Sequence, residues 1–212
     1  MAHLQKIGLD FDNTLICYDQ VFVTAAIERG LVQKDFAGIK RQVRDTIRLL
    51  PDGERRWMEL QGYVYGAGIG GARPFPGVGD FLRRARQAKV EIVIVSHKTQ
   101  YGHFDTERVD LREAALGWMR AEQFFVSDHG GLCEKNVHFA DSRADKLKLI
   151  AGFSFDVFID DLHEVLTDYD FPPEVERILF SADGGIDEEA PFVVLSDWPS
   201  IEEHIFDDHS NP

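Results

Sequence analysis

The sequence predicts an α/β protein: a doubly wound parallel sheet with a small helical cap inserted after its first strand. Short apolar runs alternate along the chain with segments of helical periodicity, a pattern typical of a parallel sheet with helices on both faces. Three of the apolar runs end in polar side chains, namely Asp10, Ser96 and Asp160. Ligands of such sheets bind at the carboxyl ends of the strands, so we expect the functional site at this edge.

The first half of the chain predicts two strands separated by a helical insertion. In order, the elements are a strand at 4–9, helical segments within 21–64, a glycine-rich turn at 66–71, a helix at 78–88 and a strand at 90–95. The run 90–95, VEIVIV, is the strongest strand pattern, because it is rich in β-branched residues and stops at Ser96. Pro51 to Gly53 interrupts the helical insertion.

The second half of the chain predicts further alternation of helices and strands. The elements are a helix at 109–119, a strand at 137–139, a helix from 143 to 150, strands at 155–159, 178–180 and 192–195, and a helix at 200–206. Ser142 and Asp145 have the spacing of a capping box, which marks the start of the helix at 143.

Composition and charge exclude several classes of protein. The 212 residues carry a net charge of −14, but residues 1–150 sum to +2 and residues 151–212 to −16, so the acidity is local. No basic stripe typical of duplex binding, no apolar run of bilayer length and no signal-peptide layout is visible. Cys17 and Cys133 have no metal-ligand spacing. We therefore expect a cytoplasmic protein without nucleic-acid or membrane partners, whose oligomeric state the sequence leaves open.

The segment Asp10-Phe11-Asp12-Asn13-Thr14 directly follows the first predicted strand. Carboxylates at a strand end are costly to bury and repel one another, unless a cation lies against them. Asp160 and Asp161 follow a later strand in the same way. Mg²⁺ prefers such oxygen ligands, so the pattern predicts a magnesium site; the alternative is that Asp10 and Asp12 only form a turn or cap a helix.

Four motifs resemble those of the haloacid dehalogenase-like (HAD) phosphohydrolases. They are DFDNTL after the first strand, a serine ending the VIVS strand, a lysine opening a later helix, and FIDD after the next strand. The resemblance covers residues 7–161 in the family's order. It implies a HAD-like Rossmannoid core, residues 1–17 and 73–212, and a cap at 18–72 that selects the substrate.

The resemblance also implies roles for individual residues. Asp10 is expected to be the nucleophile that forms an aspartyl-phosphate, and Asp12 the general acid and base. Ser96 would bind a phosphoryl oxygen, and Lys146 would neutralise charge on the nucleophile and the phosphoryl group. Lys148 is the alternative to Lys146, but it lies further into the helix. Lys146 is in the first turn, where a lysine opposes the helix dipole and is a poor choice for helix stability alone, so its position favours a functional role.

The expected metal ligands and substrate contacts complete this set. The metal ligands are Asp10 and Asp160 through their side chains, Asp12 through its carbonyl, and Asp161 indirectly. The expected substrate-binding residues are Asn13, Thr14, His97, Lys98 and His103. The last three lie in the loop that follows Ser96, and the alternative is that this segment is an ordinary surface loop.

A glycine-rich segment, GAGIGG at 66–71, matches the dinucleotide pattern G-x-G-x-x-G. It follows a helical segment rather than a strand and precedes Pro74 and Pro76, so we interpret it as the return from the cap.

These observations predict a Mg²⁺-dependent phosphatase that hydrolyses a small phosphorylated metabolite, a sugar phosphate or a nucleoside monophosphate. Asp12 favours a phosphatase or phosphomutase, because the dehalogenases of the family lack this second aspartate. The alternatives are a phosphomutase on the same fold and a catalytically silent binding or regulatory module.

Overall fold

The computed structural model describes residues 4–185 and 190–207. Its strands are β1 (Lys6–Leu9), β2 (Ile16–Cys17), β3 (Arg73–Pro74), β4 (Glu91–His97), β5 (Val137–Ala140), β6 (Val157–Asp160), β7 (Glu176–Phe180) and β8 (Val193–Leu195). Its α-helices are α1 (Asp19–Glu28), α2 (Lys40–Arg48), α3 (Gly53–Tyr65), α4 (Val78–Gln87), α5 (Leu111–Ala121), α6 (Arg143–Phe153), α7 (His163–Leu166) and α8 (Trp198–Phe206). Within the described residues, none of the helices combines the length and apolarity that a bilayer crossing requires.

Six of the strands form one parallel sheet in the order β5-β4-β1-β6-β7-β8. Within this sheet, β4 and then β5 lie on one side of β1, and β6, β7 and β8 follow in order on its other side. The strand order therefore reverses at β1, and in open α/β sheets such a switch point opens the crevice that binds ligands. The structure confirms the predicted α/β class with a parallel sheet.

Helices cover both faces of this sheet. On one face Val93 and Phe158 of the strands belong to a buried cluster with Leu147 of α6 and Leu166 of α7. α4 contacts β4 and α8 contacts β8. These two helices also pack against each other, where the rings of Phe81 and Trp198 meet edge to face at a centroid distance of 4.8 Å. This arrangement confirms the doubly wound layout.

Gly8 explains how β1 fits into the middle of the sheet. A Cβ atom at this position would lie 2.3 Å from a ring carbon of Phe158 and 2.9 Å from a ring carbon of Phe155. Only glycine leaves room for these rings above the strand that carries Asp10 at its end.

The chain forms two compact units. One comprises the chain up to Leu15, Pro74–His97 and the chain from Gln123 onward, and it contains the six-stranded sheet. The other, which we call the helical unit, comprises Ile16–Arg73 and Lys98–Glu122. The predicted cap at 18–72 falls within the helical unit, but the prediction had assigned 98–122 to the core.

The helical unit has an aromatic core of its own. Phe22 of α1 stacks on Trp57 of α3 with the ring centroids 4.9 Å apart. Tyr65, the last residue of α3, meets Tyr18 edge to face at 4.9 Å. The indole Nε1 of Trp118 on α5 donates a hydrogen bond to the Ala72 carbonyl at 3.2 Å, which ties α5 into this unit.

Several element boundaries differ from the predicted ones. The strand predicted to end at Val95 continues through His97. The helix predicted from Val109 begins at Leu111, because the Asp110 carboxylate caps it by accepting from the backbone N–H groups of Arg112 and Glu113. Sequence patterning did not predict β2, β3 or α7, which contain only two to four residues each.

Candidate active site

Three neighbouring strands bring polar side chains to one edge of the sheet. β1 lies between β4 and β6, and the register pairs Leu9 with both Ile94 and Ile159. Asp10 follows β1 directly, Ser96 lies near the end of β4, and Asp160 ends β6. The strand ends that carry these three residues are therefore neighbours at the carboxyl edge, as predicted.

The loop after β1 is a tight turn that holds Asp10 in place. The Asp10 backbone N–H donates to the Ile159 carbonyl at 2.9 Å, which continues the sheet by one residue. Asn13 has φ of 62°, a left-handed conformation that asparagine tolerates better than most residues. Thr14 is buried, and its carbonyl accepts a 3.1 Å hydrogen bond from the indole Nε1 of Trp198 on α8.

Lys146 lies between two carboxylates. Its Nζ is 2.5 Å from Asp10 Oδ1 and 2.6 Å from Asp160 Oδ2, and all three residues are buried. Ser142 positions the lysine, because its hydroxyl caps α6 by accepting from the Asp145 N–H at 3.1 Å. Lys148, the alternative, is exposed and pairs with Asp145 instead.

The charges of this cluster do not balance. Burial raises the pKa of the Asp10 carboxyl to about 7; the Lys146 charge opposes the rise, and the Asp160 carboxylate adds to it. Burial alone would lower the pKa of Lys146, but the charges of Asp10 and Asp160 outweigh it and hold that pKa above its usual value. Lys146 therefore stays protonated, and one ammonium is left to neutralise two buried carboxylates.

Asp161 adds a further carboxylate to the cluster. One carboxylate oxygen each from Asp10, Asp160 and Asp161 lies within 4.8 Å of the others, a grouping suited to a metal ion. The Asp160 carboxylate is oriented by the Leu162 N–H, which donates to its Oδ1 at 3.0 Å. Among the described residues, the side chain of Asp12 is outside this grouping, and the role of its carbonyl as a ligand stays a prediction.

Ser96 presents an unsatisfied polar atom. The side chain is 1% exposed, and its Oγ has no hydrogen-bond partner among the described residues. A buried hydroxyl without a partner is costly, so this atom fits a ligand oxygen.

The remaining predicted substrate contacts belong to both compact units. His97 is exposed at the end of β4. Lys98 and His103 belong to the helical unit, where Lys98 is buried and His103 exposed. The glycine-rich segment follows α3 and contains a short 3₁₀ turn, Ile69–Gly71, so it lacks the strand-to-helix context of a dinucleotide site.

Two residues that support these sites have no functional signal in the sequence. Trp198 holds the turn after Asp10 across a separation of 184 residues. The ring of Tyr65 lies beside the Lys98 ammonium, with its centroid 4.9 Å from Nζ. Neither contact follows from local sequence spacing.

No protein-family model matches the chain, and no curated protein matches its sequence. Solved structures do resemble it. A haloacid dehalogenase-like hydrolase from Streptococcus pneumoniae has a TM-score of 0.62 at 12% identity, and the match covers 96% of this chain and 99% of that one. A HAD-superfamily hydrolase from Ehrlichia chaffeensis has a TM-score of 0.56 at 12% identity, with 96% and 97% covered.

A third similar structure is a HAD-family hydrolase from Deinococcus radiodurans, solved with bound phosphate and sodium. Its TM-score is 0.54 at 13% identity, and the match covers 99% of this chain and 98% of that one. Identities this low establish the architecture and leave the activity open. The parallel sheet, its strand order and these matches together show that the chain has the haloacid dehalogenase-like fold.

Proposed function

We propose that the protein is a Mg²⁺-dependent phosphatase that hydrolyses a small phosphorylated metabolite through an aspartyl-phosphate on Asp10. The observation that carries this proposal is the buried ion-pair cluster, in which Lys146 Nζ lies 2.5 Å from Asp10 and 2.6 Å from Asp160. A buried carboxylate held by an ammonium at the switch point of the sheet is a positioned nucleophile.

The proposed reaction has two steps. In the first, a carboxylate oxygen of Asp10 attacks phosphorus, the ester P–O bond breaks, and Asp12 gives its proton to the leaving oxygen. In the second, Asp12 takes a proton from a water molecule, whose oxygen attacks phosphorus and releases the Asp10 carboxylate and inorganic phosphate. Asp12 can serve both steps because the first leaves it as the base that the second requires.

The charge on the phosphoryl oxygens needs donors and cations. The Ser96 hydroxyl, buried and without a partner among the described residues, would donate to one phosphoryl oxygen. Lys146 would favour the ionised form of Asp10 and offset the charge that develops during transfer.

The carboxylates fit a magnesium ion. Asp10, Asp160 and Asp161 offer oxygens within 4.8 Å of one another, while a single lysine opposes their charge. These side chains, with the Asp12 carbonyl, would hold the ion, which would neutralise the cluster and the phosphoryl group. Asp10 would then be ionised at neutral pH, as a nucleophile must be.

Sugar phosphates and nucleoside monophosphates are the proposed substrate classes, and Asn13, Thr14, His97, Lys98 and His103 the proposed substrate contacts. The cytoplasmic location and the lack of nucleic-acid or membrane partners also stay predictions. Asp12 is the residue that favours phosphate esters over haloacids, because it supplies the proton that an ester oxygen needs on leaving.

Phosphate release from p-nitrophenyl phosphate, measured on metal-stripped protein with and without added Mg²⁺, tests the proposal. We expect turnover that requires the ion and falls to background in Asp10→Asn, while Lys148→Met keeps wild-type activity. Halide release from a 2-haloacid without phosphate release would make the protein a dehalogenase. Transfer between positions of a sugar bisphosphate, without net phosphate release, would make it a phosphomutase.

A further inference from the structure

Trp198 opens α8 and is completely buried in the unit that contains the sheet. Its ring meets that of Phe81 on α4 edge to face, and its centroid lies 5.9 Å from that of Phe180 at the end of β7. These two rings pack beside the indole and fix its plane. The polar atom of the side chain, Nε1, therefore points to a set place in the backbone.

That place is the Thr14 carbonyl, four residues after the proposed nucleophile. Nε1 donates to this oxygen at 3.1 Å, and both Trp198 and Thr14 are inaccessible to solvent. A buried indole N–H usually finds an acceptor, and here the acceptor belongs to the loop after β1. Because a buried carbonyl without its donor costs free energy, the bond defines where this part of the loop lies.

The start of α8 also fits closely against the segment that re-enters the sheet unit at Pro74. A Cβ atom on Gly77 would lie 2.9 Å from the Cβ of Trp198. The Phe75 N–H donates to the Leu15 carbonyl at 3.0 Å. Trp198 therefore lies beside the place where the chain first leaves the sheet unit, after Leu15, and beside the segment on which it returns.

The loop held in this way carries Asp12, whereas Asp10 has supports of its own. The Asp10 N–H donates to the Ile159 carbonyl at 2.9 Å, and its carboxylate pairs with Lys146. Asp12 lies beyond both supports, and two residues later Thr14 is held by the indole. We therefore expect loss of the indole N–H to displace Asp12 more than Asp10.

Resting on the proposed phosphatase function, we propose that Trp198 is a positioning residue for Asp12. Its N–H holds the Thr14 carbonyl and thereby places the Asp12 carboxyl for proton transfer to the leaving oxygen. A general acid must be within hydrogen-bond reach of the atom that it protonates, and a displacement of about 1 Å can cost on the order of a hundredfold in rate. Trp198 acts through the backbone and contacts no reacting atom.

The leaving group of the substrate reports the position of Asp12. p-Nitrophenolate leaves as a stable anion and needs little protonation, whereas phenolate needs the proton that Asp12 supplies. The ratio of kcat/KM for p-nitrophenyl phosphate to that for phenyl phosphate should therefore rise when Asp12 is displaced. Hydrolysis of the intermediate does not enter this ratio, because kcat/KM covers only the steps up to the transfer of the phosphoryl group to Asp10.

Two changes remove the N–H at position 198. One is Trp198→Phe, and the other is 3-benzothienylalanine, which keeps the size of the indole and replaces only the N–H by sulfur. With Mg²⁺ present, we expect either change to raise the ratio roughly tenfold, and Asp12→Asn to raise it further. A merely structural role would lower the free energy of unfolding and leave the ratio at its wild-type value.

Trp118→Phe is the matched control. Trp118 is also buried, and its Nε1 donates to the Ala72 carbonyl at 3.2 Å within the helical unit. Loss of this bond should lower the unfolding free energy by a similar amount. It should leave the ratio unchanged, because the bond holds backbone that carries no proposed catalytic group.

A wild-type ratio in protein with 3-benzothienylalanine at position 198 would overturn the inference, even if Trp198→Phe does not fold. An equal rise of the ratio in Trp118→Phe would overturn it as well. The proposed function fails separately, if wild-type protein with Mg²⁺ releases no phosphate from either ester or if Asp12→Asn leaves the ratio unchanged. Either of these results would also remove the basis of the inference.

Discussion

Replacing Lys146 by methionine removes the ammonium that lies between two buried carboxylates. Lys146 Nζ is within 2.6 Å of both Asp10 and Asp160, and the three side chains are at most 6% exposed. Removing one partner of a buried ion pair leaves uncompensated charge and costs about 3–5 kcal/mol. We therefore expect Lys146→Met to lower the free energy of unfolding of the metal-free protein by about that amount at pH 8.

Lys148→Met is the matched control for this experiment. Lys148 lies on the same helix and pairs with Asp145 at 2.8 Å, but its side chain is 77% exposed. Exposed pairs contribute about 0–1 kcal/mol, so this variant should remain close to wild type.

Urea unfolding followed by circular dichroism, in the presence of EDTA, measures both variants. The loss in Lys146→Met should shrink at pH 5, because the carboxylates left without a counter-ion can then take up protons. The expectation is wrong if the two variants lose equal unfolding free energy, or if Lys146→Met loses less than about 1 kcal/mol at pH 8. Either result would mean that Lys146 does not stabilise the two buried carboxylates.

Three further predictions concern the same unit of the protein. The pKa of Asp10 is raised from 3.8 to about 7, so without metal its contribution to stability is present at low pH and is lost as pH rises from about 4 through 7. Relative to wild type, the free energy of unfolding of Asp10→Asn should therefore rise by on the order of 4 kcal/mol across this window. If urea titrations show that the difference in unfolding free energy between Asp10→Asn and wild type does not change with pH, this prediction is wrong. Gly8→Ala places a methyl group 2.3 Å from the Phe158 ring and should lower the unfolding free energy by about 1–3 kcal/mol, and an unchanged melting temperature would speak against the close packing of β1. Trp198→Phe leaves the Thr14 carbonyl without its donor and should cost about 1–3 kcal/mol in chemical denaturation, whereas wild-type stability would mean that the bond contributes nothing.

The sequence predicted the carboxyl edge of the sheet and the polar residues at its strand ends, because both depend on local patterns. Apolar runs that stop at Asp10, Ser96 and Asp160 converge once the strands are parallel neighbours, and strand parallelism follows from the alternation with helices. The capping residue Ser142 likewise marked the start of the helix that presents Lys146. The structure adds which lysine reaches the carboxylates.

Other features depend on contacts between distant segments and leave no local pattern. Lys98 is buried and lies beside the Tyr65 ring of α3, whereas in the sequence this lysine stands in a polar segment that is typical of a surface loop. The grouping of 98–122 with the helical unit arises in the same way. The bond from Trp198 to the Thr14 carbonyl joins residues from opposite ends of the chain.

The central claim, that Asp10 is the nucleophile, is tested most directly by trapping the phosphoryl group on the protein. Asp12→Asn should slow hydrolysis of the intermediate, since it removes the base that activates water. Acid quenching of this variant after mixing with Mg²⁺ and a phosphate ester, followed by peptide mass spectrometry, should locate a phosphoryl group on Asp10. Phosphate release by wild-type protein with no covalent phosphoryl group detected in the variant, or with the group on another residue, would contradict the account.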